Sequence, residues 1–285
     1  MYIYVNGEIV TPEDAKISAF DHGFMYGLGV FETFRIYEGH PFLVDDHFHR
    51  LHQSLNQLSI AWNWTKEDVM MVLRELLEKN KLTNAYVRWN VSAGAGSLGL
   101  QVDPYEKPST IVYVKPLPEK MSVTKRGVIL KTKRNTPEGN ERLKSHHYLN
   151  NIIGKREIGS DANVEGIFLT HDDYLAEGIV SNLFWLKNNV VYTPAVETGI
   201  LNGVTRQFIL TLLDELGYEY KEGFYKSNDL LEADEAFVTN SIQEIVSLED
   251  VDGKTNYNSA LANELRKHYF SLRQLSSRVE IYKKE

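Results

Sequence analysis

The sequence predicts an α+β protein made of two domains. Its 285 residues reach the size at which single hydrophobic cores stop growing, about 250–300 residues, and β-rich runs are interspersed with amphipathic helices. The composition changes at Lys115–Glu119, where two prolines favour an extended linker over a helix or an inner strand. We therefore expect an N-terminal α+β domain at 1–115, a linker at 116–120 and a second domain at 121–285.

The strands of the first half have clear local signals. Residues 2–10 alternate around Asn6-Gly7, a dipeptide that favours a tight hairpin turn. Because β-branched and aromatic residues are typical of strands, further strands are predicted at Val30–Tyr37, Ala85–Ala93 and Thr110–Val114.

Two amphipathic helices are expected between these strands. Asp45 is the predicted N-cap of the first and Thr65 that of the second, because short polar side chains there accept backbone N–H groups. Apolar residues recur every three to four positions, so each helix should bury one face. On that face the first helix carries Phe48, Leu51, Leu55 and Leu58.

The second half is predicted to combine short strands with three helices. The strands are expected at Val128–Lys133 and around Ile167, Phe184, Val190 and Phe237. The helices are expected at roughly Asn150–Gly159, Val204–Gly217 and Ser259–Leu275. We find no internal repeat that would indicate a solenoid.

Composition and charge exclude several classes of function. With 31 basic and 39 acidic residues the net charge is -8, which argues against a nucleic-acid binder or a polybasic membrane reader. The chain has no cysteine, so disulfides, thiolate metal sites and cysteine nucleophiles are excluded. The start lacks a basic region followed by an apolar one, and no apolar run approaches a membrane span, so we expect a cytoplasmic protein.

One lysine lies in a setting suited to covalent catalysis. The stretch RLKSHHYLNN (Arg142–Asn151) surrounds Lys144 with hydroxyl, imidazole, phenol and amide side chains. Such neighbours can orient and deprotonate an amine, as attack on an aldehyde requires. Taken alone, a lysine is more often a solvated surface residue.

Two further stretches complement that lysine. Glu177 precedes the apolar run Asn182–Leu186, so a carboxylate is expected at the edge of a buried strand, where it can pair with a protonated pyridine nitrogen. Asn202-Gly203 ends a loop before the helix Val204–Gly217, whose first turn has no carboxylate and therefore suits a phosphate. Lysine, acid and phosphate site together predict a pyridoxal phosphate site.

Alternative interpretations of the polar motifs are less favoured. His146 and His147 should point to opposite faces of an extended segment and lack zinc-site spacing, so we predict no metal site. The glycines of DHGFMYGLG have no strand-to-helix unit around them, which indicates turns and not a dinucleotide site. Arg50 suits both a solvated helix surface and a bidentate contact with phosphate.

Six stretches, taken in order, resemble the fold-type IV pyridoxal phosphate enzymes, the class IV aminotransferase family. They lie at residues 21–35, 42–51, 142–151, 176–185, 199–207 and 238–245. The group contains branched-chain aminotransferases, D-amino acid aminotransferases and 4-amino-4-deoxychorismate lyases. FDHGFMYGLGVFETFR, RNTPEG and RLKSHHYLNN look most like the bacterial lyases, which release 4-aminobenzoate and pyruvate from 4-amino-4-deoxychorismate for folate biosynthesis.

This resemblance implies a fold and a set of cofactor contacts. The N-terminal domain would be an α/β sandwich-like domain and the C-terminal domain β-barrel-like with flanking helices, in a homodimer. Lys144 would bind the cofactor aldehyde, Glu177 its ring nitrogen, and Tyr148 would lie near the ring. The implied phosphate contacts are Arg50, Val204, Thr205, Asn240 and Ser241.

The substrate side is less determined by motif. The expected substrate is a small anion, for which Thr33 would relay a proton, while Arg88, Arg142 and His146 are candidates to bind carboxylates. D-amino acid aminotransferases carry an arginine where this chain has Ala93, so their carboxylate clamp is missing here. The Tyr-x-Arg pattern of branched-chain enzymes is kept at Tyr86-Val87-Arg88, so an aminotransferase remains the alternative. A non-enzymatic binding module would be expected to have lost its lysine or its acid.

Overall fold

The computed structural model describes residues 1–118, 122–255 and 257–283, which fold into two compact units. The first unit contains the chain up to Pro118 together with Leu143–His147 and Gln274–Ser277. The second contains residues 122–142, Tyr148–Arg273 and the chain from Arg278 onward. The predicted linker at 116–120 lies partly outside the described residues, and the domain bounds taken from the sequence stay a prediction.

The first unit is built on a six-stranded sheet. Its strands are β1 (Ile3–Val5), β2 (Glu8–Val10), β3 (Gly29–Tyr37), β4 (His40–Pro41), β5 (Ala85–Ser92) and β6 (Ser109–Pro116), in the order β2-β1-β6-β5-β3-β4. Neighbouring strands are antiparallel, and the predicted hairpin forms with Val5 opposite Glu8. Asn6 and Gly7 adopt positive φ values of 49° and 105°, as this tight turn requires.

Three helices belong to this unit: α1 (His22–Tyr26), α2 (Val44–Gln57) and α3 (Lys66–Asn80). The N-cap predicted at Asp45 is wrong, because Leu43 holds that position in a left-handed conformation with φ 52° and no side-chain cap. Asp45 instead lies in the first turn, where its charge favours the positive end of the helix. The predicted cap at Thr65 is confirmed, since it forms a reciprocal capping box with Asp68.

The two faces of the first sheet differ in character. Alternate residues of β3 and β5, such as Phe34 and Trp89, are fully buried in an apolar core that includes the inner faces of α2 and α3. The opposite face carries Phe31 and Thr33 from β3 and Arg88 from β5, and Thr33 lies directly opposite Arg88 in the register. The opposite, polar face therefore carries the predicted proton relay, Thr33, and a predicted carboxylate contact, Arg88.

The second unit is built on an eight-stranded mixed sheet. Its strands are β7 (Thr124–Ile129), β8 (Val164–Leu169), β9 (Leu175–Gly178), β10 (Asn182–Lys187), β11 (Val190–Pro194), β12 (Tyr220–Gly223), β13 (Glu235–Asn240) and β14 (Glu244–Val251). The order is β12-β11-β10-β13-β14-β7-β8-β9. The edge strand β9 also contacts β10 and β11, so the sheet curls on itself. This curvature agrees with the β-barrel-like domain that the resemblance implied.

Four helices flank this sheet: α4 (Leu149–Ile158), α5 (Val204–Glu215), α6 (Ser227–Leu231) and α7 (Ala260–Ser271). The three predicted helices are present, although α7 ends four residues early. The strand predicted at Val128–Lys133 is displaced, because β7 takes its position from parallel pairing with β14 and β8. Within the described ranges, no helix has the length and apolarity needed to cross a bilayer. The predicted α+β class is confirmed.

Candidate active site

Lys144 lies on a short extended segment added to the first sheet. Phe31 N–H donates to the Lys144 carbonyl at 2.9 Å, and His146 N–H donates to the Gly29 carbonyl at 3.0 Å. Because β4 pairs only with Ile36 and Tyr37, this edge of β3 is open to receive the segment. The Lys144 amine lies 4.6 Å from the centre of the Phe31 ring, on the polar face of the sheet.

Two of the predicted substrate residues contact the same aromatic ring, and a third lies on the same face of the sheet. The Arg88 guanidinium carbon lies 3.7 Å from the centre of the Phe31 ring, and the His146 ring stacks on Phe31 with the centres 6.2 Å apart. Thr33 lies opposite Arg88 in the register. The structure therefore brings Lys144, Thr33, Arg88 and His146 together on one face.

His146 is neutral near neutral pH. Burial, followed by repulsion from Arg88, lowers the pKa of its imidazole to about 4. Its Nε2 atom is buried and has no hydrogen-bond partner among the residues that the structure describes. A buried nitrogen of this kind is satisfied when a ligand approaches it. His146 thus offers hydrogen bonding to the site without adding charge.

Arg50 belongs to a buried ionic network behind that face. Its Nε and Nη2 atoms donate to the two oxygens of Glu32, each at 2.7 Å, and His47 Nδ1 lies 2.7 Å from Glu32 Oε2. Burial alone would raise the pKa of Glu32, but Arg50 and His47 together outweigh it and hold that pKa at about 2. Burial also lowers the pKa of His47. Arg50 is therefore held rigidly on α2, while its predicted contact with a phosphate stays a prediction.

In the second unit, Glu177 is a buried carboxylate on β9 that accepts two hydrogen bonds and has a second guanidinium nearby. Arg134 Nε donates to its Oε1 atom at 2.8 Å, and Leu201 N–H donates to its Oε2 atom at 3.0 Å. Arg142 Nε lies 3.7 Å from Oε1. Glu177 is the third residue of the strand, and a turn follows it. Its orientation is fixed by charge-assisted bonds.

Arg142 is used mainly within the protein. Its Nε donates to the Gly199 carbonyl at 2.6 Å, and its Nη2 donates to the Asn135 carbonyl. Burial, and then repulsion from Arg134, lowers the pKa of Arg142 to about 10, so the guanidinium stays charged at neutral pH. These bonds orient it beside Glu177 in the second unit. A role for Arg142 in binding substrate stays a prediction.

The start of α5 has the chemistry of a phosphate site. Gly203 is the N-cap, no side chain caps the helix, and its first turn contains no acidic residue. The Thr205 hydroxyl lies 3.0 Å from the Ser241 hydroxyl, which places two hydroxyl groups beside the free N–H groups. A Cβ atom at Gly203 would overlap the Asn182 amide oxygen, so the backbone must remain bare there. These residues fit a phosphate group.

The remaining predicted contacts adjoin these elements. The Asn240 amide oxygen is used within its own turn. It accepts hydrogen bonds from the N–H groups of Ile242 at 2.9 Å and Gln243 at 2.7 Å. It thereby shapes the turn that carries Ser241. Tyr148 is the N-cap of α4, and its carbonyl accepts from Ile152 N–H at 3.0 Å.

Sequence reasoning missed three ionisable residues that lie beside predicted ones. Glu32 and His47 complete the network of Arg50, and Arg134 holds Glu177. Glu32 had one local signal. It is an acidic residue at a core-facing position of β3, where the alternation predicts an apolar residue. Arg134 had no comparable signal, because its partner is 43 positions away.

Comparison with known proteins defines the class of this molecule. The amino-transferase class IV family profile matches residues 29–251. A putative 4-amino-4-deoxychorismate lyase of solved structure from Legionella pneumophila superposes with a TM-score of 0.83 at 26% identity, covering 91% of this chain and 96% of that one. The chain belongs to the class IV aminotransferase family, so the predicted family and its fold-type IV architecture are confirmed.

Two other known proteins are similar to this chain over most of its length. An aminodeoxychorismate lyase from Bacillus subtilis (strain 168) is 50% identical over 260 residues, which cover 90% of this chain and 88% of the relative. A branched-chain amino acid aminotransferase from T.th., solved with N-(5'-phosphopyridoxyl)-L-glutamate, superposes with a TM-score of 0.84 at 26% identity, covering 96% of this chain and 94% of that one.

Proposed function

We propose that this protein is a pyridoxal phosphate-dependent lyase that converts 4-amino-4-deoxychorismate to 4-aminobenzoate and pyruvate. The observation that carries this proposal is the 50% identity, over 90% of the chain, to an aminodeoxychorismate lyase. The geometry supports it, because one face of the first sheet combines an amine, a hydroxyl and a guanidinium. An elimination from an anionic substrate needs a base, a proton donor and a cation for a carboxylate.

The residues present fit the cofactor. Lys144 would bind its aldehyde, Glu177 its ring nitrogen, and the start of α5 with Thr205 and Ser241 its phosphate. Arg50 and Tyr148 would complete the contacts. When bound, the cofactor supplies a protonated ring that accepts the electron pair left by a departing proton. Glu177 serves this chemistry by remaining a fixed carboxylate between Arg134 and Leu201 N–H.

The chain's own residues would divide the proton transfers between them. Lys144 is the base that would take a proton from the substrate. Thr33 is the residue that hands a proton to the leaving group. Phe31, whose ring centre lies 4.6 Å from the Lys144 amine and 3.7 Å from the Arg88 guanidinium carbon, gives the amine an apolar neighbour.

Arg88 and His146 are the proposed contacts for substrate carboxylates. Arg88 offers positive charge on the face that carries Thr33, while His146 offers a buried ring nitrogen. Arg142 is the third proposed contact and the second proposed cation. A local excess of positive charge allows a protein with a net charge of -8 to bind a dianion.

An aminotransferase of branched-chain or D-amino acids is the second candidate. The Tyr86-Val87-Arg88 pattern favours the branched-chain reaction, as does the structural similarity to a branched-chain enzyme. Ala93 disfavours the D-amino acid reaction, because its buried methyl group cannot replace an arginine. The cofactor contacts are common to all three reactions and do not distinguish them.

The test compares the three reactions on one purified preparation. 4-Amino-4-deoxychorismate alone should yield 4-aminobenzoate and pyruvate in equal amounts without a keto acid acceptor. Branched-chain and D-amino acids alone should leave the absorbance of the bound cofactor unchanged. Conversion to the pyridoxamine form by either amino acid, without release of 4-aminobenzoate, would contradict the lyase assignment in favour of the aminotransferase.

The resemblance also supports a homodimer in the cytoplasm. Sedimentation equilibrium should return twice the chain mass of 32.7 kDa. A mass equal to one chain at micromolar concentration would contradict the dimer. No nucleic acid or membrane surface is a proposed partner, in keeping with the net negative charge.

A further inference from the structure

A buried ion pair in the second unit has no role in the function described so far. Lys125 on β7 donates from Nζ to Glu165 Oε2 on β8 at 2.8 Å, and the two side chains are only 7% and 4% exposed. Desolvating two charges is costly, and apolar residues of similar size would serve a core at least as well. The pair therefore calls for a role beyond packing.

Lys125 connects to the turn that presents Ser241. Its Nζ also donates to Gln243 Oε1 at 3.2 Å, and the same oxygen accepts from Asn240 Nδ2 at 3.2 Å. Asn240 Oδ1 in turn accepts the N–H groups of Ile242 and Gln243. The turn at 240–243 is thus closed on itself and anchored from beneath by one buried amine.

Glu165 connects to the turn that follows Glu177. Its Oε1 atom accepts from the Ser181 hydroxyl at 2.8 Å, and Gly178 N–H donates to the Ser181 carbonyl at 2.8 Å. A Cβ atom at Gly178 would overlap Ser181 Oγ and lie 2.6 Å from Glu165 Oε1. Glu165 therefore packs directly against the residue that follows Glu177.

We propose that Lys125 and Glu165 are a positioning pair that holds the Glu177 strand end and the Ser241 turn at a fixed separation. The proposal rests on the proposed function, in which one end meets the ring nitrogen of pyridoxal phosphate and the other its phosphate. One rigid ligand spans both ends, so its affinity depends on their separation. A buried, hydrogen-bonded ion pair resists the small shifts that would change this separation.

The test removes both charges and measures cofactor binding. Lys125→Met/Glu165→Gln leaves no unpaired buried charge and keeps an amide oxygen for Ser181. We expect the dissociation constant for pyridoxal phosphate to rise about tenfold, the effect of one lost charge-assisted bond. The turnover number at saturating cofactor should fall less than threefold. Lys187→Met/Glu232→Gln removes a more exposed 2.8 Å pair of the same unit and should change the constant less than twofold.

A second variant keeps the proposal testable if the double variant fails to fold. Gln243→Met leaves the ion pair in place and removes the amide oxygen that accepts from both Lys125 and Asn240, at a partly exposed position. It should weaken the binding of pyridoxal phosphate about tenfold. The affinity for pyridoxal, which lacks the phosphate, should change less than twofold. Unchanged cofactor affinity in the variants that fold, with only a lower melting temperature, would show a purely structural pair and overturn the inference. A wild-type protein that binds no pyridoxal phosphate would instead contradict the proposed function and the inference together.

Discussion

Single residues of the first unit show how charge is arranged near Lys144. Glu32 receives both arms of Arg50 and the imidazole of His47, so a negative and a positive charge are buried together. Removing one partner of such a pair leaves the other unpaired, which costs about 3–5 kcal/mol. The network therefore fixes Arg50 and makes the unit sensitive to acid.

Glu32→Gln should reveal this dependence on pH. The folded pKa of Glu32 is about 2, below its ordinary value, so the carboxylate stabilises the fold above the unfolded pKa and this stabilisation is lost as pH falls toward 2. The variant should be less stable than wild type by about 3 kcal/mol at pH 7. The difference in unfolding free energy, measured in urea, should shrink steadily between pH 5 and pH 3.

Glu106→Gln, at an exposed loop position of the same unit, provides the control and should match wild type at every pH. A loss of stability in Glu32→Gln that is equal at pH 7 and pH 3 would show that packing, and not charge, is responsible.

Thr33→Val tests the proposed proton donor. The two side chains have nearly the same shape, so the sheet should be retained while the hydroxyl is lost. We expect turnover of 4-amino-4-deoxychorismate to fall about 100-fold, the lower range for a general acid. The affinity for pyridoxal phosphate should change less than threefold.

Thr83→Val, at an exposed position of the first unit, should leave both quantities unchanged. Turnover of Thr33→Val equal to wild type would remove Thr33 from the mechanism.

Local chemistry decides which site residues are predictable from sequence. Lys144 is recognisable because its informative neighbours lie within a few positions along the chain. Glu32 and Arg50 are 18 positions apart, and Arg134 and Glu177 are 43 apart, so only the folded chain pairs them. Long-range ion pairs leave no local pattern in the sequence. For this reason Glu32, His47 and Arg134 were not predicted.

Helices and strands also differ in how well their bounds can be predicted from local sequence. The start of α3 was predictable, because Thr65 and Asp68 cap it within one turn. The start of α2 was not, because Leu43 N–H donates to the distant Leu275 carbonyl. Strand β7 is likewise positioned by β14 and β8, and its own apolar run suggested a later start.

Gly203→Ala tests the phosphate site at the start of α5. The added methyl group would overlap the Asn182 amide oxygen and displace either that side chain or the helix start. We expect the dissociation constant for pyridoxal phosphate to rise about tenfold, because the free N–H groups are then misaligned. Equilibrium titration monitored by cofactor absorbance measures it.

Gly139→Ala is the matched control, because a Cβ atom there meets nothing within 4 Å. Its cofactor affinity should equal that of wild type, and an equal affinity for Gly203→Ala would place the phosphate elsewhere.

For the whole molecule, periodicity and turn signals predicted the α+β class and most elements. They did not predict that Leu143–His147, which follows part of the second unit's chain, pairs with β3 of the first. That pairing depends on an open strand edge, which the sequence does not display. The lysine proposed to bind the cofactor therefore belongs to the first sheet, while the acid proposed for the ring nitrogen belongs to the second.

The proposed function depends on a covalent bond between Lys144 and pyridoxal phosphate. Treating the purified protein with borohydride, digesting it and mapping the peptides by mass spectrometry tests this directly. We expect a phosphopyridoxyl group on the peptide that contains Lys144 in the wild-type protein. In Lys144→Ala we expect no such group on any peptide. A modified peptide containing a different lysine, or an unmodified wild-type protein, would contradict the proposed bond to Lys144.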